Sequence, residues 1–129
     1  MRDGLVSKEV AARFVEALRK LEEDKDVEAL VEIHAEDCDV GNVAVPRIFY
    51  GLREFWQGYR NTFGEMRSEF RNIFADDAGH AALEWNTSGQ ANGNDVSYDG
   101  VSLLEIEDGK VSRFRAYFDP RTINEQVVR

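Results

Sequence analysis

The sequence predicts an α+β domain in which helices come first and a meander of long antiparallel strands follows. Three observations carry that expectation. Up to Phe63 apolar residues recur at spacings of three and four, and from Arg67 onward the period changes to two. The dipeptides Asn92-Gly93 and Asp108-Gly109 sit between long apolar runs, which is the strongest short-range signal for a hairpin. No internal repeat, linker or low-complexity tract divides the 129 residues, so one core is expected.

Taken in order, Ser7 is a plausible N-cap for a first helix over 7–23 carrying Val10, Ala11, Phe14, Val15, Leu18 and Leu21 on its apolar stripe. The polar run Glu22-Glu23-Asp24-Lys25 ends that stripe, and Asp26 can cap a short second helix with Val27, Leu30, Val31 and His34 on one side. Residues 37–45 mix β-branched side chains with Gly41 and Asn42 and stop before Pro46, which predicts a short strand feeding an irregular loop, a candidate pocket wall. After Gly51, residues Leu52, Phe55, Trp56, Tyr59 and Phe63 predict a third helix with an aromatic inner face, and Gly64 stands where a C-cap glycine belongs. Strands then run over 67–75, 80–91, 96–106 and 111–118, with Asp76-Asp77-Ala78-Gly79 as the first turn. Pro120 cannot extend a ladder, so the last strand stops at Asp119, which also makes an N-cap for a C-terminal helix over 122–128.

Composition narrows the function classes. A formal net charge of -9 repels nucleic acid and anionic lipid, and no apolar run is long enough for a membrane span, so neither is expected as a partner. Cys38 is the single cysteine and cannot close an internal disulfide, and neither His34 nor His80 stands at metal-ligand spacing with it, so no metal or cofactor is expected. Met1-Arg2-Asp3-Gly4 lacks the pattern of a secretion signal, which gives a cytoplasmic expectation.

The element order, together with Asp26-Val27-Glu28-Ala29-Leu30 and His34-Ala35-Glu36-Asp37, resembles the nuclear transport factor 2-like superfamily. Trp85-Asn86-Thr87-Ser88-Gly89, Tyr98-Asp99-Gly100-Val101, Glu107-Asp108-Gly109-Lys110 and Tyr117-Phe118-Asp119 are similar to its SnoaL-like polyketide cyclase branch. The resemblance covers nearly the whole chain. It implies a cone: a strongly curved sheet wrapped around three N-terminal helices, with an apolar cavity at the open end, and a homodimer. It also implies acid-base catalysis of the cyclase, isomerase or hydrolase type on a small hydrophobic molecule.

The same resemblance distributes the candidate residues. In the SnoaL-like cyclases a single acid-base Asp at the end of the last strand aligns with Asp119. Asn42, which aligns with an epoxide hydrolase asparagine and with the base of ketosteroid isomerase, and His34, the one nearby base titrating around neutrality, complete the catalytic set. The isomerase's two oxyanion donors fall on Leu18 and Ser102, and the limonene epoxide hydrolase Tyr, Arg and second Asp fall on Val40, Trp85 and Thr87. The expected pocket wall is Phe14, Leu18, Phe55, Tyr59, Trp85, Ser102, Tyr117 and Phe118. For each there is a plainer reading. Asp119 caps a helix, Asn42 occupies a turn, His34 is a dipole-stabilised histidine, and the aromatic residues are core. Strand alternation sets Phe114, Ala116 and Phe118 on one face and Arg113, Arg115, Tyr117 and Asp119 on the other. A ligand-binding or accessory dimerisation domain without catalysis is the alternative function.

Overall fold

The computed structural model describes residues 2–42 and 51–127. Its elements are α1 (Arg2–Asp24), α2 (Glu28–Ile33), β1 (His34–Asn42), α3 (Leu52–Asn61), β2 (Met66–Ala75), β3 (His80–Ala91), β4 (Asn94–Glu107), β5 (Lys110–Phe118) and α4 (Pro120–Val127). The five strands form one curved, unclosed sheet in the order β1-β5-β4-β3-β2. Helices followed by such a sheet are the α+β architecture the periodicity predicts.

α1 buries Val10, Ala11, Phe14, Ala17, Leu18 and Leu21 at three- and four-residue spacing against the sheet. It begins five residues before the expected start. Ser7 is therefore inside the helix and buried, not its cap. The helix stops where Lys25 adopts a left-handed φ of 58° and the Asp26 amide returns to the Lys20 carbonyl at 3.3 Å. Asp26 Oδ1 then accepts from the Glu28 amide at 3.0 Å, opening α2. His34 is already extended and begins β1 instead of ending the helix. β1 closes at Asn42, and the expected strand residues 43–45 lie outside the described residues.

β2 to β5 form an antiparallel meander, and β1 joins β5 in parallel, pairing Val40 with Phe114 and Asn42 with Ala116. A parallel pair requires a long crossover, which the stretch from α3 through β4 supplies. Both hairpin dipeptides are left-handed, Asn92-Gly93 with φ of 55° and 80° and Asp108-Gly109 with 52° and 76°, the type I′ geometry that matches strand twist. α3 ends at Asn61 with Thr62 as its cap; Gly64 has no left-handed backbone and instead donates its amide to the Gln90 carbonyl at 2.7 Å.

β2 departs from simple alternation. Its register against β3 shifts between Phe70 and Asn72, so one extra residue turns Phe74 outward to 65% exposure while Phe70 faces Trp85 on the inner side. On β3, Ala81, Leu83, Trp85 and Thr87 all point inward, as the alternation predicts. The core lies between that concave face and α1 to α3, where Phe14, Trp56 and Phe114 meet with ring centroids 4.9 to 5.8 Å apart.

Candidate functional site

Between α1, α3, α4 and the concave face of the sheet lies a cavity of about 390 Å³. Phe14 and Leu18 reach it from α1, Phe55, Trp56 and Tyr59 from α3, and Trp85, Tyr98, Phe114, Ala116 and Phe118 from the strands. α4 adds Pro120, Ile123 and Asn124. Gln126 fastens α4 to the sheet, its amide exchanging two 2.8 Å hydrogen bonds with the Ser97 backbone.

Trp85 is placed by its cross-strand partner. Gly100 stands opposite it, and a Cβ there would lie 2.4 Å from the indole, so only glycine lets the ring fold over β4. From that position Nε1 donates to Ser102 Oγ at 2.9 Å.

Polar groups gather at one side of the cavity. Tyr59, Ser68, Thr87 and Tyr98 all line it. Behind them is Glu22, only 4% exposed, whose carboxylate accepts from Ser68 N at 2.8 Å, Ser68 Oγ at 2.6 Å and Tyr59 OH at 3.0 Å. Ser68 Oγ is also 2.6 Å from Thr87 Oγ1. Burial, reinforced by the Glu22 charge, pushes both phenols up from their ordinary values, so Tyr59 and Tyr98 keep their protons across the physiological range. Arg60, buried at the end of α3, holds the Glu22 carbonyl at 3.1 Å and the Phe63 carbonyl at 3.0 Å, which locks α3 to α1 beside the cluster.

The residues expected from the sequence separate into two groups. Phe14, Leu18, Asn42, Phe55, Tyr59, Trp85, Ser102 and Phe118 line the cavity together. Asp119, His34 and Tyr117 are not among its lining residues. Tyr117 is 49% exposed on the opposite face of the sheet, as strand alternation requires. Asp119 is exposed at the start of α4, where Oδ1 accepts from the Arg121 amide at 3.0 Å and Oδ2 from Arg121 Nη2 at 3.0 Å. The Arg121 side chain, then its amide, hold that carboxyl below the usual range. His34 is buried with Nδ1 donating to the Leu30 carbonyl at 2.6 Å, and burial pushes its pKa down to about 4. Its ring packs against Phe14 and Trp56, on the far side of the wall those residues build.

Glu22, Ser68, Thr87 and Tyr98 were not expected as site residues. A signal for Glu22 was present: it stands four residues after Leu18 and eight after Phe14, in line with the apolar stripe.

The model of the SnoaL-like domain matches residues 11–114. This chain belongs to the SnoaL-like domain family. No curated protein matches its sequence significantly. Solved structures share the fold at low identity. A limonene epoxide hydrolase-like epoxide hydrolase of M. tuberculosis is 20% identical with a TM-score of 0.74, covering 97% of this chain and 91% of that one. A protein provisionally described as a polyketide cyclase, from Xanthomonas campestris pv. campestris, is 20% identical with a TM-score of 0.76, covering 97% and 98%. TerC, co-crystallised with polyporic acid, is 17% identical with a TM-score of 0.78, covering 96% and 99%. Across this SnoaL-like chain no helix among the described residues is long and apolar enough to cross a membrane.

Proposed function

We propose that this SnoaL-like chain binds a small, largely apolar molecule in the cavity between α1, α3, α4 and the sheet. The cavity itself carries the reading: about 390 Å³, walled by aromatic rings, with the hydroxyls of Tyr59, Ser68 and Thr87 gathered around Glu22, which is the composition and size of a small-molecule site. The co-crystallisation of TerC with polyporic acid supports small-molecule binding in a protein of the same fold.

Acid-base turnover at Asp119, Asn42 and His34 has less support, because only Asn42 of the three lines the cavity. A homodimer through the outer sheet face is supported by the exposed Phe74, Val101, Leu103 and Tyr117. Light scattering that gives a monomer at micromolar concentration would remove it.

Both tryptophans, Trp56 and Trp85, line the cavity, so intrinsic fluorescence reports its occupancy. Titration with 2-methoxynaphthalene should quench it saturably. Ala116→Phe, which fills the cavity from β5, should abolish the effect. Linear, non-saturating quenching that is identical in the variant would refute ligand binding at this site.

A further inference from the structure

The hydroxyl cluster has a direction, and the direction specifies a ligand group. Ser68 has one hydroxyl hydrogen and gives it to Glu22, 2.6 Å away. The 2.6 Å contact between Ser68 and Thr87 can then be made only by the Thr87 hydrogen, so Thr87 donates to Ser68. Tyr59 also gives its hydrogen to Glu22, at 3.0 Å. The hydrogens of Ser68, Thr87 and Tyr59 therefore run toward one buried carboxylate, and these three oxygens offer the cavity lone pairs alone.

We infer that the polar side of the cavity is a receptor for a hydrogen-bond donor, the hydroxyl of a phenol or small aromatic alcohol, and that Glu22 sets this preference from behind the lining. It rests on the binding reading above and adds the chemical class. A ligand with an acceptor there, an ether or a ketone, meets oxygen against oxygen with no hydrogen between them. A ligand with a hydroxyl finds several acceptors while its ring system contacts Trp85, Phe118 and Phe55. Glu22 does not itself line the cavity; it is a positioning residue whose two oxygens fix the rotors of the groups that do. Because hydroxyl rotors otherwise turn to suit either partner, a fixed acceptor at the head of the chain is what makes the lining selective.

The test compares 2-naphthol with 2-methoxynaphthalene, which keeps the ring and the oxygen and loses only the donor. In the wild-type protein 2-naphthol should bind about tenfold more tightly, the ratio expected from one hydrogen bond made against one left unmade. Glu22→Gln places an amide donor opposite Ser68, which reverses the chain and turns hydrogens toward the cavity, so the ratio should fall to one or invert. Thr87→Val leaves all three donors to Glu22 in place and interrupts the chain at one isosteric position. It should shrink the ratio even if Glu22→Gln folds poorly. Equal binding of both probes to the wild type, or a ratio unchanged in the variants, would overturn the inference while leaving ligand binding intact. Failure of both probes to bind would overturn ligand binding itself and the inference with it.

Discussion

The polar side of the cavity and the junction of β5 with α4 each hold one carboxylate, and each carboxylate accepts three hydrogen bonds. For Glu22 the donors are Ser68 N, Ser68 Oγ and Tyr59 OH, which stand 46 and 37 residues away in sequence. For Asp119 they are the amide, Nε and Nη2 of Arg121, two residues away. The difference lies in range and burial. The Asp119 bonds are available to a short stretch of chain in water and organise only the first turn of α4. The Glu22 bonds exist only when α1, α3 and β2 are assembled around a residue that is only 4% exposed. Equal counts of hydrogen bonds therefore say little about what each carboxylate does for the fold or the site.

The largest effect that separates the two regions is expected from Glu22→Ala. It strands buried donors of Tyr59 and Ser68 together and should destabilise the domain by about 3–5 kcal/mol, measured by urea denaturation. A loss below about 1 kcal/mol would mean that water reaches the cluster. Next comes the pH response of the interior. His34 has a folded pKa of about 4 against an ordinary value of 6.5, so the unfolded chain binds the proton first. Its contribution is complete above the ordinary value and is lost as pH falls through the window down to about 4, about 3 kcal/mol in all. Denaturation curves across that window should show the loss, and His34→Gln should flatten it.

Smaller again is Gly100→Ala, whose Cβ would meet the Trp85 ring at 2.4 Å and the Tyr117 carbonyl at 2.8 Å. A cost of about 1–3 kcal/mol is expected, with a shift in tryptophan emission as the bond from Trp85 to Ser102 breaks. The smallest effect belongs to Asp119→Asn. Asn caps as Asp does and the group is exposed, so the melting temperature should hold at neutral pH. The depressed carboxyl follows the same sign as His34: its contribution is present above the ordinary Asp range and is lost as pH falls through the folded value. A carboxyl NMR titration placing Asp119 above the ordinary Asp range would show that the Arg121 bonds do not hold the charged form.

The elements were legible where their causes are local. Asn92-Gly93 and Asp108-Gly109 fix the two type I′ hairpins, and alternation along β3 and along β5 from Arg113 onward assigns faces without reference to anything distant. That alternation set Tyr117 outward with Arg113 and Arg115, whereas its resemblance to a Tyr-Phe-Asp motif placed it in the pocket; the backbone period prevailed. What could not be read depends on partners far along the chain. Glu22 resembled the solvated end of a stripe because its donors arrive with Tyr59 and Ser68. The inversion of Phe74 follows from a register shift that only β3 reveals, and the parallel pairing of β1 from a strand whose residues, as in Val40 with Phe114, stand 74 positions later.

That parallel pairing also sets an order in time. Among the described residues β1 pairs with β5 alone, so the strand made first waits for the strand made last, while β2 to β5 can zip through adjacent hairpins. The wall that carries Asn42 is therefore finished only after the C-terminal strand is in place, and Phe14 and Trp56 lack Phe114 until then. Pulse-labelled hydrogen exchange should find amides of the β3–β4 hairpin protected before those of β1. A nascent chain stalled ahead of residue 110 would be a sheet without its edge strand and a cavity without one of its sides.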